Sequence, residues 1–376
     1  MAKRDIIVIG SSAGGVYALR ELVAQLPADF GGSIFIVQHV AAYTTSLLPD
    51  ILSRCGTLTV RHPHDGEAIQ PGHIYVAPPD YHLLIEEAAD HESSDRSSPG
   101  QSGRGRILVR RGPKENRFRP SIDALFRSAA YSFGSRVIGV VLTGLLNDGT
   151  SGMWTINRLG GLCVVQEPTD ALYSSMPESV LEFVNVDHVV PLADIAPLLT
   201  RLSGEAAPEP VGDSLALPAD PVHSVDELKR IKTEIDTAAQ LSPFDRGILS
   251  MGDLTTLTCP ECSGALVSFR EGHLIRYRCH TGHAHTASML LTDVTKSIED
   301  TMWKSVRALE ESILLLNQAA DQLAKASQTE AAGHYRDQSA RALDRAHRIR
   351  ELIFDNKQTA ADGTQIKELK VNDLLV

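Results

Sequence analysis

Apolar residues in the first part of the chain come in short runs separated by amphipathic stretches: Ile6 to Ile9, Val16 to Leu26, Ile34 to Val37 and Thr45 to Leu52. Short β-branched runs alternating with helix-period segments predict a β-α-β-α rhythm. Val137 to Leu142 then predicts a strand, Gly152 to Arg158 a helix and Leu162 to Val165 a further strand. This alternation places the chain in the α/β class, with a doubly wound, mostly parallel sheet and helices on both faces. Leu83 to Ile85 and Ile107 to Val109 flank a stretch rich in Ser, Gly and charge, Glu86 to Arg106, and predict a hairpin with a long loop.

The pattern changes after Gly204. Residues 204–221 carry four prolines and no apolar periodicity, the composition of a linker. Ser224 and Glu227 fit a capping box, S-x-x-E, that opens a short charged helix ending near Ala239. Ile298, Met302, Val306, Leu309, Ile313, Leu316, Ala320 and Leu323 recur mostly in alternating steps of four and three. Tyr335, Ser339, Ala342, Ala346, Ile349 and Ile353 follow with the same steps. Two helices joined near Ser327 to Thr329 can bury these seams in an antiparallel, coiled-coil-like hairpin, a possible homodimer seam or dock for a helical partner. Beyond Asn356 no pattern is legible. The segments are therefore 1–203, a Pro-rich linker 204–222, a helix and Cys/His segment 223–286, and a helical hairpin with tail 287–376.

Length and composition sharpen this. At roughly 150 residues per domain, 376 residues make two or three units. The chain is 43% hydrophobic and 22% charged, the composition of a globular protein. A net charge of −11 argues against nucleic acid as a partner, because phosphate binding needs clustered Lys and Arg. No run approaches the roughly 20 apolar residues of a membrane helix, and the N-terminal apolar run is too short for a signal peptide, so a cytoplasmic location without membrane insertion is expected. Of the five cysteines, Cys55 and Cys163 read as buried thiols. The other three crowd into one segment, which in a reducing compartment suggests a metal rather than disulfides.

Gly10-Ser11-Ser12-Ala13-Gly14 fits G-x-S-x-G between a strand and a helix, the setting of a nucleophile elbow. The pentapeptide alone does not separate an elbow from a plain turn. A dinucleotide fingerprint fails, since Ser12 stands at the middle glycine and His39 ends the second strand where an acidic ribose ligand is expected. A Walker lysine is also missing. His39 and Asp148 taken singly are an ordinary strand-end histidine and an Asp-Gly turn or helix cap. Together with Ser12, however, they fall at the carboxyl ends of three strands, the edge where open α/β sheets bind ligands. Ser12 needs a neutral imidazole such as His39 to take its proton, and Asp148 would hold the imidazole tautomer.

Cys259-Pro-Glu-Cys262, sixteen residues, then Cys279-His-Thr-Gly-His283-Ala-His285 has the spacing of a zinc site. The expected ligands are Cys259, Cys262, Cys279 and His283, with His280 or His285 as alternatives for the fourth. A closed four-ligand set is structural, and the module would depend on zinc for folding, while catalysis needs no cofactor.

The strings IIVIGSSAGG, IFIVQH, DGEAIQPGHIYVAPPDYHLLI, RFRPSIDALFRSAA and VIGVVLTGLLNDGTSGM, in this order, resemble the catalytic domain of the CheB-type protein-glutamate methylesterases over about the first 200 residues. The resemblance implies a hydrolase with Ser12 as nucleophile, His39 as base and Asp148 as its partner. It implies hydrolysis of γ-glutamyl methyl esters on chemoreceptors or related signalling proteins, with glutamine deamidation as a second activity. Ala13 stands where Thr is common in the family, and Leu145-Leu146 where Met-Gly is usual. The backbone N–H groups of Ala13 and Leu145 remain the oxyanion donors, since a backbone donor survives side-chain change. The chain begins at the first strand of the esterase part, so the family's N-terminal receiver domain and control by aspartyl phosphorylation are not expected here. The Cys/His segment resembles a zinc-ribbon-like appendage of some receiver-less methylesterases. The competing class is a non-catalytic signalling adaptor, with an esterase-like fold kept for binding and the C-terminal parts recruiting partners.

Overall fold

A computed structural model describes residues 2–43, 45–88, 105–208, 221–240 and 247–361, which fall into two compact units, Met1–Met289 and Leu290–Val376. The first unit opens with β1 (Ile6–Ser11), α1 (Gly15–Ala24), β2 (Ser33–Gln38), α2 (Leu48–Ser53), β3 (Thr59–Arg61) and β4 (His73–Val76). After a hairpin of β5 (His82–Glu87) and β6 (Gly105–Arg110) come α3 (Ile122–Phe133), β7 (Val137–Val141), α4 (Thr150–Arg158), β8 (Leu162–Gln166), α5 (Ser175–Phe183), β9 (His188–Val190) and α6 (Leu192–Gly204).

Seven of these strands form one sheet in the order β3-β4-β2-β1-β7-β8-β9, with every neighbouring pair parallel. The expected doubly wound α/β architecture is the one found. Central β1 sends Ile6 and Val8 to one face and Ile7 and Ile9 to the other, the period-two alternation of a strand covered on both sides. The first face is covered by α3, α4 and α5, the second by α1, α2 and α6.

Several elements escaped the sequence pattern. β3, β4 and β9 span only three or four residues, too few for alternation to register. Residues Ile122 to Ala130 of α3 are all buried, so its polar stripe of Asp123, Arg127 and Ser128 faces partners inside the protein and not solvent. The β5–β6 hairpin forms, but the long loop expected between its strands lies largely outside the described residues, as does most of the Pro-rich linker. Cys163 is buried as expected, whereas Cys55 is only partly so.

The next helix, α7 (Pro221–Ala238), begins three residues before Ser224, which therefore sits within the first turn instead of capping it. Proline at the start of a helix sacrifices only an N–H that has no partner there. A four-stranded antiparallel meander follows: β10 (Asp253–Thr258), β11 (Ala265–Glu271), β12 (Leu274–Cys279) and β13 (Ala284–Thr286). Residues 1–203 and 223–286, delimited as separate segments in the sequence, share the first compact unit.

A buried ionic cluster joins them. Arg278 of β12 donates to Glu115 at 2.7 Å and to Glu234 of α7 at 2.9 Å. Arg276 reaches Glu234 at 2.7 Å and Glu271 at 3.3 Å, and Arg127 of α3 reaches Glu115 at 3.1 Å. Three guanidinium groups thus face three carboxylates, all with less than 2% side-chain exposure. Burial pushes the Glu234 carboxyl up, but Arg127, Arg276 and Arg278 hold it down at about 2, so it is ionised at neutral pH. Removing one member would leave a buried charge unpaired, which typically destabilises by about 3–5 kcal/mol. The meander is therefore locked onto α3, α7 and the turn at Glu115 by charges that must be satisfied together.

The second unit contains most of α8 (Ala287–Lys325) and α9 (Thr329–Ala361), joined where the sequence places the turn, with Ser327 at φ 62°. Val306, Ala320, Ala342, Ala346 and Ile353 of the expected seams are buried. Ile298 and Tyr335 are exposed, and Ala332 takes the first buried position of the second series in place of Tyr335. Trp303 and Phe354 meet edge to face at 6.2 Å. Helix α9 continues past Asn356, where the sequence carries no signal.

Candidate active site

The carboxyl ends of β1, β2 and β7 converge on one point of the sheet edge. Ser12 follows β1 directly, and its N–H donates to the Thr143 carbonyl beyond β7 at 3.1 Å. The turn then needs Gly14 at φ 78°, a left-handed conformation that glycine adopts without strain, before α1 begins. Gln38 ties the adjoining strand ends together, accepting from Ser11 Oγ at 2.7 Å and donating to the Ser12 and His39 carbonyls at 2.8 and 3.0 Å.

His39 leaves the end of β2 with Nδ1 3.1 Å from Ser12 Oγ and Nε2 2.8 Å from Asp148 Oδ2. With Nε2–H donating to the carboxylate, Nδ1 carries the lone pair and can accept the serine proton. The ring nitrogens thus exchange the roles they have in the general serine-hydrolase template, where Nε2 faces the serine. Phe118 stacks on the imidazole with ring centroids 3.6 Å apart and planes 8° from parallel, so the ring is fixed by packing as well as by hydrogen bonds.

Asp148 is fully buried and accepts five hydrogen bonds. Oδ2 accepts from His39 and from the Ile122 N–H at 2.7 Å. Oδ1 accepts from Asn116 Nδ2 at 3.0 Å, Ser121 Oγ at 2.9 Å and the Asp123 N–H at 3.4 Å. Two of these donors are the first N–H groups of α3, so a carboxylate from a distant loop caps that helix and lies at the positive end of its dipole. Burial pushes the Asp148 carboxyl up, but His39, Asn116 and the Ile122 N–H outweigh it and hold it below the ordinary carboxylate range. Neighbouring Asp123 goes the other way: burial and the charge of Asp148 push it up to about 8 against opposing Arg276 and Arg127. Of the two carboxylates, Asp148 is therefore the one that carries the charge facing His39.

The expected oxyanion donors lie at the loops after β1 and β7. Among the described residues, neither the Ala13 nor the Leu145 N–H donates to another protein group. Thr143 Oγ1 ties the two loops together by donating to the Ala13 carbonyl at 3.0 Å, and the Leu146 N–H ties the second to the start of α5 by donating to Ser175 Oγ at 3.0 Å. Gly144 has no room for a side chain, since a Cβ there would sit 2.1 Å from Met176 Sδ.

A family model described as CheB methylesterase matches residues 7–199. The chain belongs to the CheB methylesterase family. A Leptospira interrogans relative, provisionally named a protein-glutamate methylesterase/protein-glutamine glutaminase, is 39% identical over 198 residues, covering 53% of this chain and 94% of its own. The Bordetella pertussis protein-glutamate methylesterase/protein-glutamine glutaminase is 36% identical over 204 residues, 54% of each chain. The present chain thus spans about half the length of that relative. The CheB methylesterase catalytic domain of Thermotoga maritima is 33% identical, covering 54% of this chain and 99% of that one, with a TM-score of 0.47. Among the described residues no helix is long and apolar enough to cross a membrane.

Outside the CheB match, the meander gathers Cys259, Cys262, Cys279 and His283, whose ligand atoms all lie within 4.8 Å of one another. Cys262 Sγ is 3.7 Å from Cys279 Sγ, and His283 Nδ1 is 3.8 and 3.6 Å from the sulfurs of Cys259 and Cys279. A tetrahedral ion with bonds of about 2.3 Å has edges of about 3.8 Å, so the spacing and the soft donors fit zinc. Two tight turns present the ligands, one closed by the Cys259 N–H to Gly264 bond at 2.8 Å and the other by the Cys279 N–H to His283 bond at 3.0 Å. His280 packs against Gly264 instead, and His285 stands behind Cys259 with Nε2 at 3.6 Å.

Asn116, Phe118, Ser121 and Gln38 were not singled out in the sequence. Ser121 before Ile122 is the one with a local signal, a serine at a helix start. Its hydroxyl, however, reaches Asp148 and does not cap its own helix.

Proposed function

We propose that this chain is a serine hydrolase that demethylates γ-glutamyl methyl esters on chemoreceptors or related signalling proteins. What carries the reading is the unbroken Ser12–His39–Asp148 hydrogen-bond relay at the edge of a CheB-family sheet. Ser12 Oγ attacks the ester carbonyl carbon while its proton passes to His39 Nδ1. The N–H groups of Ala13 and Leu145 receive the oxyanion of the tetrahedral intermediate. Its collapse expels methoxide, which takes the proton from His39 and leaves as methanol, so that a γ-glutamyl ester of Ser12 remains. Water, deprotonated by the same imidazole, then releases the glutamate carboxylate and returns the proton to Ser12. A glutamine amide entering this route releases ammonia in place of methanol. The charge of Asp148 stabilises the imidazolium formed in both halves.

In this reading residues 1–203 carry the chemistry, 204–222 connect, 223–286 hold a structural zinc and 287–376 form a helical hairpin available to partners. Incubation of the full chain with receptor protein methylated on glutamate is expected to release methanol catalytically. An absence of methanol, together with no covalent capture of a fluorophosphonate, would favour the adaptor reading. Metal analysis of unchelated protein is expected to find about one zinc per chain, lost when Cys259→Ser and Cys262→Ser are combined. Protein prepared without chelator that carries no metal would remove zinc from the proposal.

A further inference from the structure

Asn116 stands between the relay and the Cys/His-bearing meander, and its side-chain amide and backbone N–H are all engaged. It lies in a two-residue turn, Asn116 at φ 48° and Arg117 at φ 72°, closed by paired backbone bonds between Glu115 and Phe118 at 3.2 and 2.9 Å. Its side-chain N–H groups split between two carboxylates, Asp148 Oδ1 at 3.0 Å and Asp123 Oδ2 at 2.7 Å. Its Oδ1 accepts the Thr286 N–H of β13 at 3.2 Å, and its own N–H donates to the Ala284 carbonyl at 2.8 Å.

The direction of that amide matters. A half-turn about its terminal bond would aim the Asn116 oxygen at the charged Asp148 carboxylate and away from the Thr286 N–H, so Asp148 and Thr286 together fix the orientation that serves the relay. Thr286 lies three residues after His283, and Ala284 pairs with β12 on one side and the 115 turn on the other. Arg278 supplies a second link, donating to the Gly282 carbonyl in the Cys279 to His283 loop at 2.9 Å and to Glu115 at 2.7 Å. Asn147, next to Asp148, is held from the same strand by Thr286 Oγ1 at 2.9 Å.

We propose that Asn116 is a positioning residue for Asp148 and that the metal-loaded meander, through Thr286, holds it in place, so that loading of the Cys259/Cys262/Cys279/His283 site sets the reactivity of Ser12. The inference rests on the esterase reading. Its chemistry asks nothing of the metal beyond fixing the loop that leads into β13. Without the ion, the Cys259/Cys262 and Cys279/His283 turns keep only their own backbone bonds and the Arg278 link, so the loop that leads into β13 loosens and the Asn116 amide loses one of the two groups that orient it.

The test uses the full chain with its native metal, a fluorophosphonate as probe of Ser12, metal analysis, and kinetics on a small acetate ester. Chelation is expected to slow capture at Ser12 by about 10- to 100-fold, the scale of a displaced catalytic group, with recovery on adding zinc. The Asn116→Gly variant suits the positive φ and removes only the amide. It is expected to keep its zinc, lose kcat by a similar factor at unchanged KM, and show no further loss on chelation. Chelated wild-type protein that captures the probe at the native rate overturns the proposal, as do independent, multiplicative losses in the variant. Should the chelated protein unfold by circular dichroism, the zinc-loaded variant decides alone, and an unchanged kcat overturns it. Native protein that never captures the probe fails the esterase reading itself, a distinct result.

Discussion

Ser12→Ala is expected to lower ester hydrolysis by at least about 10⁴-fold, since loss of a triad nucleophile leaves only binding and oxyanion stabilisation. Among the described residues the hydroxyl's one side-chain hydrogen bond is to His39, while the turn is held by the Ser12 N–H on Thr143 and the Ser12 carbonyl shared by Gly15 and Gln38. The variant should therefore melt at the temperature of the parent and still bind methylated receptor. Methanol release and fluorophosphonate capture read the effect from two directions. A variant that keeps either at the parent rate would take Ser12 out of the reaction.

Asp148→Asn is expected to lower kcat by about 10⁴-fold with little change in KM. The cause is geometric. Five donors converge on the two carboxylate oxygens, so an amide nitrogen in either place meets donors head-on. With the nitrogen toward His39, the imidazole must present Nε2 as an acceptor. Its proton then moves to Nδ1, the atom that has to accept from Ser12. With the nitrogen on the other side, Asn116, Ser121 and the N-terminus of α3 lose their acceptor, and a buried donor left unmatched costs about 1–3 kcal/mol. Steady-state kinetics and a thermal melt separate the two. A variant with parent kcat would show that Asp148 serves only to cap α3.

Much of this was legible in the chain. Continuous apolar runs from Ile6 to Ile9 and Ile34 to Val37 and the helix-period stretches between them announce an α/β sheet, because burial on both faces demands such runs. The position of Ser12, His39 and Asp148 at strand ends was readable for the same reason, as was the cysteine spacing. What the sequence of α3 does not tell is that its polar stripe, Asp123, Arg127 and Ser128, is buried as deeply as its apolar one. Asn116 was hidden because a polar residue in a short turn looks like any solvated loop until both of its carboxylate partners are in place.

The local pattern of residues by itself determined the strand-helix order, the elbow, the metal-ligand spacing and the two helical seams, all of which depend on neighbours within a few turns of chain. Only the tertiary structure decided which histidine lies with the three cysteines, which ring nitrogen faces Ser12, and that a helix start and a turn converge on Asp148 while a distant strand holds Asn116. Those outcomes depend on groups as far apart in the chain as Asn116 and Thr286, whose meeting is set by the packing of a buried Arg/Glu cluster and not by any periodicity along the backbone.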